Sequence, residues 1–207
     1  PTIGMTITAV TEGDRTKAFM GEVKDDNSRS VLWEPGDSIR LWGDPVYQWS
    51  EYCGGHIFVN TDTDATQVGS FDGYLCEALD ILAIYPQSIR SDRPKRRDTG
   101  NISYIDIPDT QYYREDNFPR EAFLMAAYQE LEQDSIGRYV LEKPLEFKNL
   151  CGILALNLVG EDQIRSITIS AKDSTGSMAT LSGYGKIKRT TEEYHVLNMM
   201  PMNGSKE

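Results

Sequence analysis

The sequence has few of the side chains on which most metal and nucleophile chemistry depends. It contains three cysteines, Cys53, Cys76 and Cys151, and two histidines, His56 and His195. No two cysteines have the Cys-x-x-Cys spacing of a zinc site, and the histidines lie far apart in the chain. We therefore predict no metal, no cofactor and no catalytic residue. We expect the cysteines to be free or buried thiols and the histidines to be partly buried packing residues.

Long apolar runs and an excess of basic side chains are missing as well. The longest apolar stretches, around residues 81–85 and 153–159, are far shorter than the ~20 residues that a membrane-spanning helix needs. The 21 Lys and Arg residues are outnumbered by 32 Asp and Glu, which gives a net charge of −11. Such a charge disfavours binding to the phosphate backbone of nucleic acids and to anionic lipid surfaces. The sequence therefore predicts neither a nucleic-acid partner nor a membrane helix.

The chain does contain many short runs rich in β-branched and aromatic residues, separated by Gly, Pro, Asp and Asn. Residues 2–10 alternate apolar with small or polar side chains, which predicts a half-buried strand. Pro35 followed by Gly36 predicts a tight turn, because Pro fixes φ and Gly accepts a positive φ. Many short strands between turns indicate an antiparallel β-sandwich or barrel. The other predicted strands are residues 31–33, 38–42, 56–60, 65–71, 78–85, 102–107, 145–158, 164–170, 178–181 and 194–199.

One segment, residues 121–133, contradicts this pattern. It is rich in Ala, Leu, Met and Glu, it follows Pro119, and Gly137 lies beyond its end. On propensity alone it is predicted to be a helix. Its apolar part, residues 123–128, could equally be a buried strand, because short apolar runs are ambiguous.

Aromatic side chains crowd a twenty-residue window of the chain. Trp33 and Trp42 lie in adjoining predicted strands, where we expect them to be core residues. Tyr47, Trp49 and Tyr52 lie in a predicted loop. Exposed aromatic rings can stack against sugar rings, so these three are a candidate sugar platform.

Seven short motifs follow one another in a fixed order between residues 5 and 170. Together they resemble the first domain of the fimbrillin-like family, the pilus subunits and related surface lipoproteins of Bacteroidales. Each motif alone is weak, but seven in the right order are hard to obtain by chance. The motifs are RTKAF at 15–19, VLWEPGDSIR at 31–40, SFDG at 70–73, AIYP at 83–86, IDIPDTQ at 105–111, LEFKNLCGIL at 145–154 and IRSITI at 164–169.

The resemblance implies an all-β fold, a transthyretin-like antiparallel β-sandwich, and no enzymatic activity. It makes residues 123–128 a strand. It also implies export to the cell surface, where a trypsin-like protease removes an N-terminal strand and another subunit supplies a strand for the vacated groove. Cleavage would follow Arg15, with Arg96 and Arg97 as competing sites. The released strand would carry the inward-facing residues Ile3, Met5, Ile7 and Ala9.

The resemblance also implies where the protein acts and with what. The expected location is the outer membrane, the cell surface or a fimbrium. The expected partners are other fimbrial subunits, identical or different, and a host or bacterial surface ligand, so that the protein contributes to adhesion. Membrane contact would be only through a lipid anchor that this chain does not include. Residues 1–160 would form the N-terminal β-sandwich domain, and residues 161–207 the beginning of a second β-domain or a shortened one.

Two other function classes compete with a fimbrial subunit. A glycan-binding module or tip adhesin would use Tyr47, Trp49 and Tyr52 on one concave face. A hydrolase would need two acidic side chains facing each other in a cleft, with shifted pKa values. Sequence alone does not show whether any two carboxylates meet in this way.

Overall fold

The computed structural model describes residues 2–11, 20–23, 29–46, 54–88, 102–112, 114, 118–154, 156, 158–160, 163, 165, 167–189 and 194–200. Within them the protein is all-β, with one short 3-10 helix at Arg120–Ala122 and no α-helix. This confirms the predicted class. None of the described helices is both long enough and apolar enough to cross a membrane.

Sixteen strands are found in the described residues, and they are numbered here in chain order. They are β1 Thr2–Thr11, β2 Met20–Val23, β3 Arg29–Val31, β4 Ser38–Pro45, β5 Gly54–Asn60, β6 Val68–Cys76, β7 Ala78–Tyr85, β8 Ile102–Ile107, β9 Met125–Glu130, β10 Glu132–Gln133, β11 Tyr139–Val140, β12 Leu145–Asn149, β13 Ala171–Lys172, β14 Met178–Ala179, β15 Gly183–Arg189 and β16 Tyr194–Met200.

Seven of these strands form a closed barrel in the order β1-β12-β9-β7-β4-β5-β6, with β6 returning to β1. All neighbours in the barrel are antiparallel except β1 and β12, which run parallel. A separate three-stranded sheet has the order β16-β15-β8. Closure of a sheet leaves no unpaired edge strand, so the barrel depends on each of its seven members.

The described core consists of two clusters that share strands of the barrel. Alternate side chains of β7 divide between them: Ile81 and Ala83 belong to the first cluster, and Leu82 and Ile84 to the second. The first cluster fills the barrel. The second joins β4, β7 and the segment before β9 to β8 and β15 through Ile105, Ile107 and Ile187. The three-stranded sheet therefore packs on the outer face of the barrel.

The helix expected on propensity for residues 121–133 is wrong, and the strand implied by the family resemblance is correct. After the 3-10 turn the chain becomes β9, with Met125 and Ala127 in the barrel cluster and Leu124 in the outer cluster. Burial on two opposite sides suits a strand between two apolar layers, so tertiary packing overrides helix propensity.

Two predicted strands are wrong or too long. The strand predicted at 145–158 ends at Asn149, and none is present in the described part of 164–170. In the unpaired parts, the large apolar side chains of Ile153, Leu154, Leu156, Leu158, Ile167 and Ile169 are exposed instead. Other predictions are confirmed: Trp33 and Trp42 are buried, and Gly36 has φ +79° in the turn where Asp37 N–H bonds to the Glu34 carbonyl.

Candidate functional site

The first strand, β1, completes the barrel wall between β6 and β12. Over residues 2–10 its backbone pairs antiparallel with β6, and over residues 9–11 it pairs parallel with β12. The side chains of Ile7 and Ala9 are buried in the barrel cluster, and Met5 is partly buried against it. Removal of β1 would therefore expose both apolar surface and two strand edges.

The neighbouring strand β6 has glycines where large aromatic rings pack against it beside β1. Gly69 lies opposite Ala9, and a Cβ added to it would come within 2.8 Å of the Trp33 indole. A Cβ added to Gly73 would come within 2.6 Å of the Phe58 ring. Both distances are closer than carbon atoms tolerate, so glycine is needed at both positions.

Trp33 occupies the centre of the barrel and bonds directly to β1. Its indole N–H donates a hydrogen bond of 2.9 Å to the backbone carbonyl of Ala9. Its ring makes edge contacts with Phe71, Tyr85 and Phe147, at centroid distances of 5.1, 5.3 and 5.2 Å. The space beside Ala9 is thus bounded by a fully buried tryptophan, and a small side chain is required there.

A second candidate site is a cleft of ≈ 250 Å³ at one end of β4 and β7. Asp37, Tyr85, Gln87, Arg120 and Glu121 are among its lining residues. Asp37 lies in the turn before β4, Tyr85 is the last residue of β7, and Arg120 begins the 3-10 helix. The cleft therefore joins three segments that are distant in sequence.

Asp37 is a buried carboxylate at the centre of the contacts that line this cleft. One carboxylate oxygen accepts the Glu34 backbone N–H at 2.8 Å; the other accepts the Tyr85 hydroxyl at 3.1 Å and the Arg120 guanidinium at 2.8 Å. Burial raises the pKa of Asp37 to about 7, while the Tyr85 hydrogen bond and the charge of Arg114 lower it. The Arg120 contact also favours the ionised form.

Arg120 also forms an ion pair with the Glu34 carboxylate. The structure thus brings two acidic side chains together, as a hydrolase would require, but both contact one guanidinium. The Asp37 oxygens together accept three hydrogen bonds from the protein, and the residue is only 4% exposed, so little of the carboxylate is accessible to a substrate. Burial lowers the pKa of Arg120 and raises that of Tyr85. These contacts are best explained as a structural link that holds the turn before β4 against the 3-10 helix.

Several residues singled out in the sequence lie outside the described residues. These are the cleavage candidate Arg15, the sugar-platform candidates Tyr47, Trp49 and Tyr52, and the competing sites Arg96 and Arg97. Of the released-strand residues, Ile3 pairs through its backbone with Leu75, while Met5, Ile7 and Ala9 occupy the positions given above.

The prediction of free thiols is wrong for one cysteine. Cys76, the last residue of β6, is disulfide-bonded, whereas Cys151 is free and partly buried. The remaining cysteine, Cys53, lies outside the described residues. Sequence spacing carries no information on such a pair, because strand pairing brings distant cysteines together.

No group of three or more His, Cys, Asp or Glu side chains among the described residues is arranged to hold a metal ion. Comparisons with known proteins give no further guide: no protein-family model, no curated protein and no solved structure matches the chain.

Proposed function

We propose that the protein is a cell-surface fimbrial subunit or accessory component that assembles by strand exchange after its N-terminal strand is removed. The observation that carries this proposal is the position of β1, which fills a groove between β6 and β12 with buried side chains. Loss of β1 leaves an apolar groove flanked by two unpaired edges. A strand from another chain can restore both the burial and the hydrogen bonds.

Two further features support the proposal. The strand β1 precedes the other six barrel strands in the chain, so one cut after Arg15 separates it from all of them. The disulfide at Cys76 is typical of exported proteins, because the cytosol keeps most thiols reduced. The finer fold assignment, a transthyretin-like antiparallel β-sandwich followed by the start of a second β-domain, belongs to the same proposal. So do the adhesive role and the outer-membrane location.

The test is limited digestion of the folded chain with an Arg-specific protease. We expect a single early cut after Arg15, followed by loss of the residue 1–15 peptide and growth of high-molecular-weight species. Intact mass identifies the cut, and light scattering measures the assembly. The matched control is Arg15→Lys, which keeps the charge but resists the enzyme. A second control, Arg96→Lys with Arg97→Lys, removes the competing sites.

Three results would argue against the proposal. The first is an N-terminus that stays intact under conditions that cut elsewhere. The second is equal assembly of native protein and Arg15→Lys, which would separate polymerisation from strand removal. The third is loss of the peptide with the remaining chain monomeric.

A further inference from the structure

Residues 167–171 have a strand-like pattern, and the first four of them are exposed. Ile167 and Ile169 are 49% and 54% exposed, and Thr168 and Ser170 between them are exposed as well. Residues 167–170 have no strand pairing in the structure, and Ala171 begins the two-residue strand β13. Alternating apolar side chains on a backbone without strand pairing suit pairing with a sheet that buries one face.

The same five residues resemble the buried part of β1. Residues 5–9 read Met-Thr-Ile-Thr-Ala, and residues 167–171 read Ile-Thr-Ile-Ser-Ala. Three positions are identical, and the other two differ conservatively. The inward-facing residues Met5, Ile7 and Ala9 thus correspond to Ile167, Ile169 and Ala171.

The groove requires this order of side-chain sizes. Its middle position lies opposite Phe71 and holds a large apolar residue, Ile7. Its last position lies between Gly69 and the Trp33 indole and holds Ala9, which is fully buried. Ala171 meets the requirement for a small residue there.

A second stretch of alternating apolar residues, residues 154–158, fails the same requirement. Leu154, Leu156 and Leu158 also alternate, and they are 64%, 48% and 54% exposed. Aligned with β1, this segment would place Leu158 where Ala9 packs against Trp33. A leucine there would force the tryptophan or the backbone to move.

We propose that residues 167–171 of one copy occupy the place of residues 5–9 in the barrel of a second copy. The inference rests on the proposed function, since the groove is open only after β1 leaves. To act as the donor, this segment has to break only the short pairing of β13 with β14. That pairing has two residue pairs, Ala171 with Ala179 and Lys172 with Met178. Donor segment and acceptor groove are different surfaces, so the contact is head-to-tail and can continue into a filament.

The test uses two full-length variants in a Cys151→Ser background. In β1, Thr8 lies opposite Ser70, so the proposed alignment puts Ser170 of the donor opposite Ser70 of the acceptor. Opposed residues in an antiparallel ladder have Cα atoms about 4.5–5.5 Å apart, within reach of a disulfide. Ser70→Cys and Ser170→Cys chains are mixed, treated with the Arg-specific protease and oxidised. We expect a covalent heterodimer that forms only after cleavage, identified by mass spectrometry of the linked peptides.

Two matched donors control for the fit. Ser170→Cys with Ala171→Leu places a large residue against Trp33, and we expect at least a tenfold loss of heterodimer. Asn157→Cys holds the same position in residues 154–158, and we expect no link to Ser70→Cys. Equal linking by either control donor would overturn the inference.

The outcomes separate this inference from the proposed function. Assembly after cleavage without a link from residue 170 to residue 70 would overturn the donor assignment and leave strand exchange intact. A chain that keeps β1, or releases it without assembly, would overturn both.

Discussion

The indole N–H of Trp33 donates a 2.9 Å hydrogen bond to the backbone carbonyl of Ala9, 24 residues earlier in the chain. Both residues are fully buried in the barrel. Through this bond the first strand contacts a side chain of the core as well as its neighbouring strands in the sheet. It also places a large, rigid ring against a position where only a small side chain fits.

The first prediction concerns the size of that side chain. Ala9→Leu should lower the free energy of unfolding by about 1–3 kcal/mol, because a larger group must displace the Trp33 ring or strain the backbone. Urea denaturation provides the measurement. Thr8→Leu introduces the same side chain at an exposed neighbour and should change stability by less than about 0.5 kcal/mol. Equal effects of the two variants would contradict the packing argument.

A second prediction concerns the glycines of β6. Gly73→Ala should destabilise the barrel by about 1–3 kcal/mol, because its Cβ would lie 2.6 Å from the Phe58 ring. At Gly152 the space around an added Cβ is open, so Gly152→Ala is a matched control that should be close to neutral. Thermal and urea unfolding of both variants would check this. A neutral Gly73→Ala would show that Phe58 can move aside cheaply.

Alternation and turn chemistry were enough to predict the all-β class and most barrel strands. They were not enough after β12, where the same apolar pattern is exposed instead of paired at Ile153, Leu154, Leu156, Leu158, Ile167 and Ile169. Periodicity reports which residues can share a face, but not whether another layer is present to cover that face. Residues 121–133 show the opposite case. Apolar layers cover this segment on both sides, so Met125 and Ala127 lie in a strand despite their helix propensity.

The candidate sites were predictable to different degrees. The inward pattern of β1 is local in sequence; Ile7 and Ala9 are buried and Met5 is partly buried, while the side chain of Ile3 is not described. The contact of Asp37 with Arg120 spans 83 residues, and the contact of Trp33 with Ala9 also depends on the closed barrel. A Pro-Gly turn signals that Asp37 ends a tight turn, yet nothing nearby in sequence identifies the arginine that reaches it.

The third prediction concerns the cysteines. Because Cys76 is disulfide-bonded and Cys151 is free, alkylation of the denatured, unreduced chain should add one label. Alkylation after reduction should add three, the number of cysteines in the sequence. Intact mass counts the labels, and Cys151→Ser should abolish the first one. Three labels without reduction would remove the support that the disulfide gives to export.

The fourth prediction concerns Tyr85, whose hydroxyl donates to Asp37 at 3.1 Å. This hydrogen bond lowers the Asp37 pKa against the larger effect of burial, so Tyr85→Phe should raise that pKa above about 7. Loss of the bond should also cost about 1–2 kcal/mol of stability. Carboxyl chemical shifts followed by NMR give the pKa. Tyr128→Phe is the matched control, because its hydroxyl donates at 3.0 Å to Asp80 instead. An unchanged Asp37 pKa in Tyr85→Phe would contradict the assignment.

The last prediction follows from the sign of the Asp37 shift. A carboxyl whose pKa rises from 3.8 to about 7 on folding binds its proton more tightly in the native state. Its contribution to stability is therefore complete below about pH 4 and is lost as the pH rises towards 7. Asp37→Asn, which cannot ionise, should lack this loss, so its stability relative to the native chain should improve between pH 4 and pH 7.

The groups that act on Asp37 are the same in the native chain and in the variant, and a second carboxyl provides a control. Glu34, Tyr85 and Arg120 contact Asp37, and Arg114 acts on it by charge; all four remain in the variant. Asp134 supplies a control of opposite sign, since the backbone N–H of Arg138 lowers the pKa of that partly exposed carboxyl. Asp134→Asn should therefore lose stability relative to the native chain as the pH rises through the acid range. Urea unfolding at several pH values measures the free energy of unfolding of both variants. If the two variants show the same dependence on pH, the pKa of Asp37 is not raised by burial.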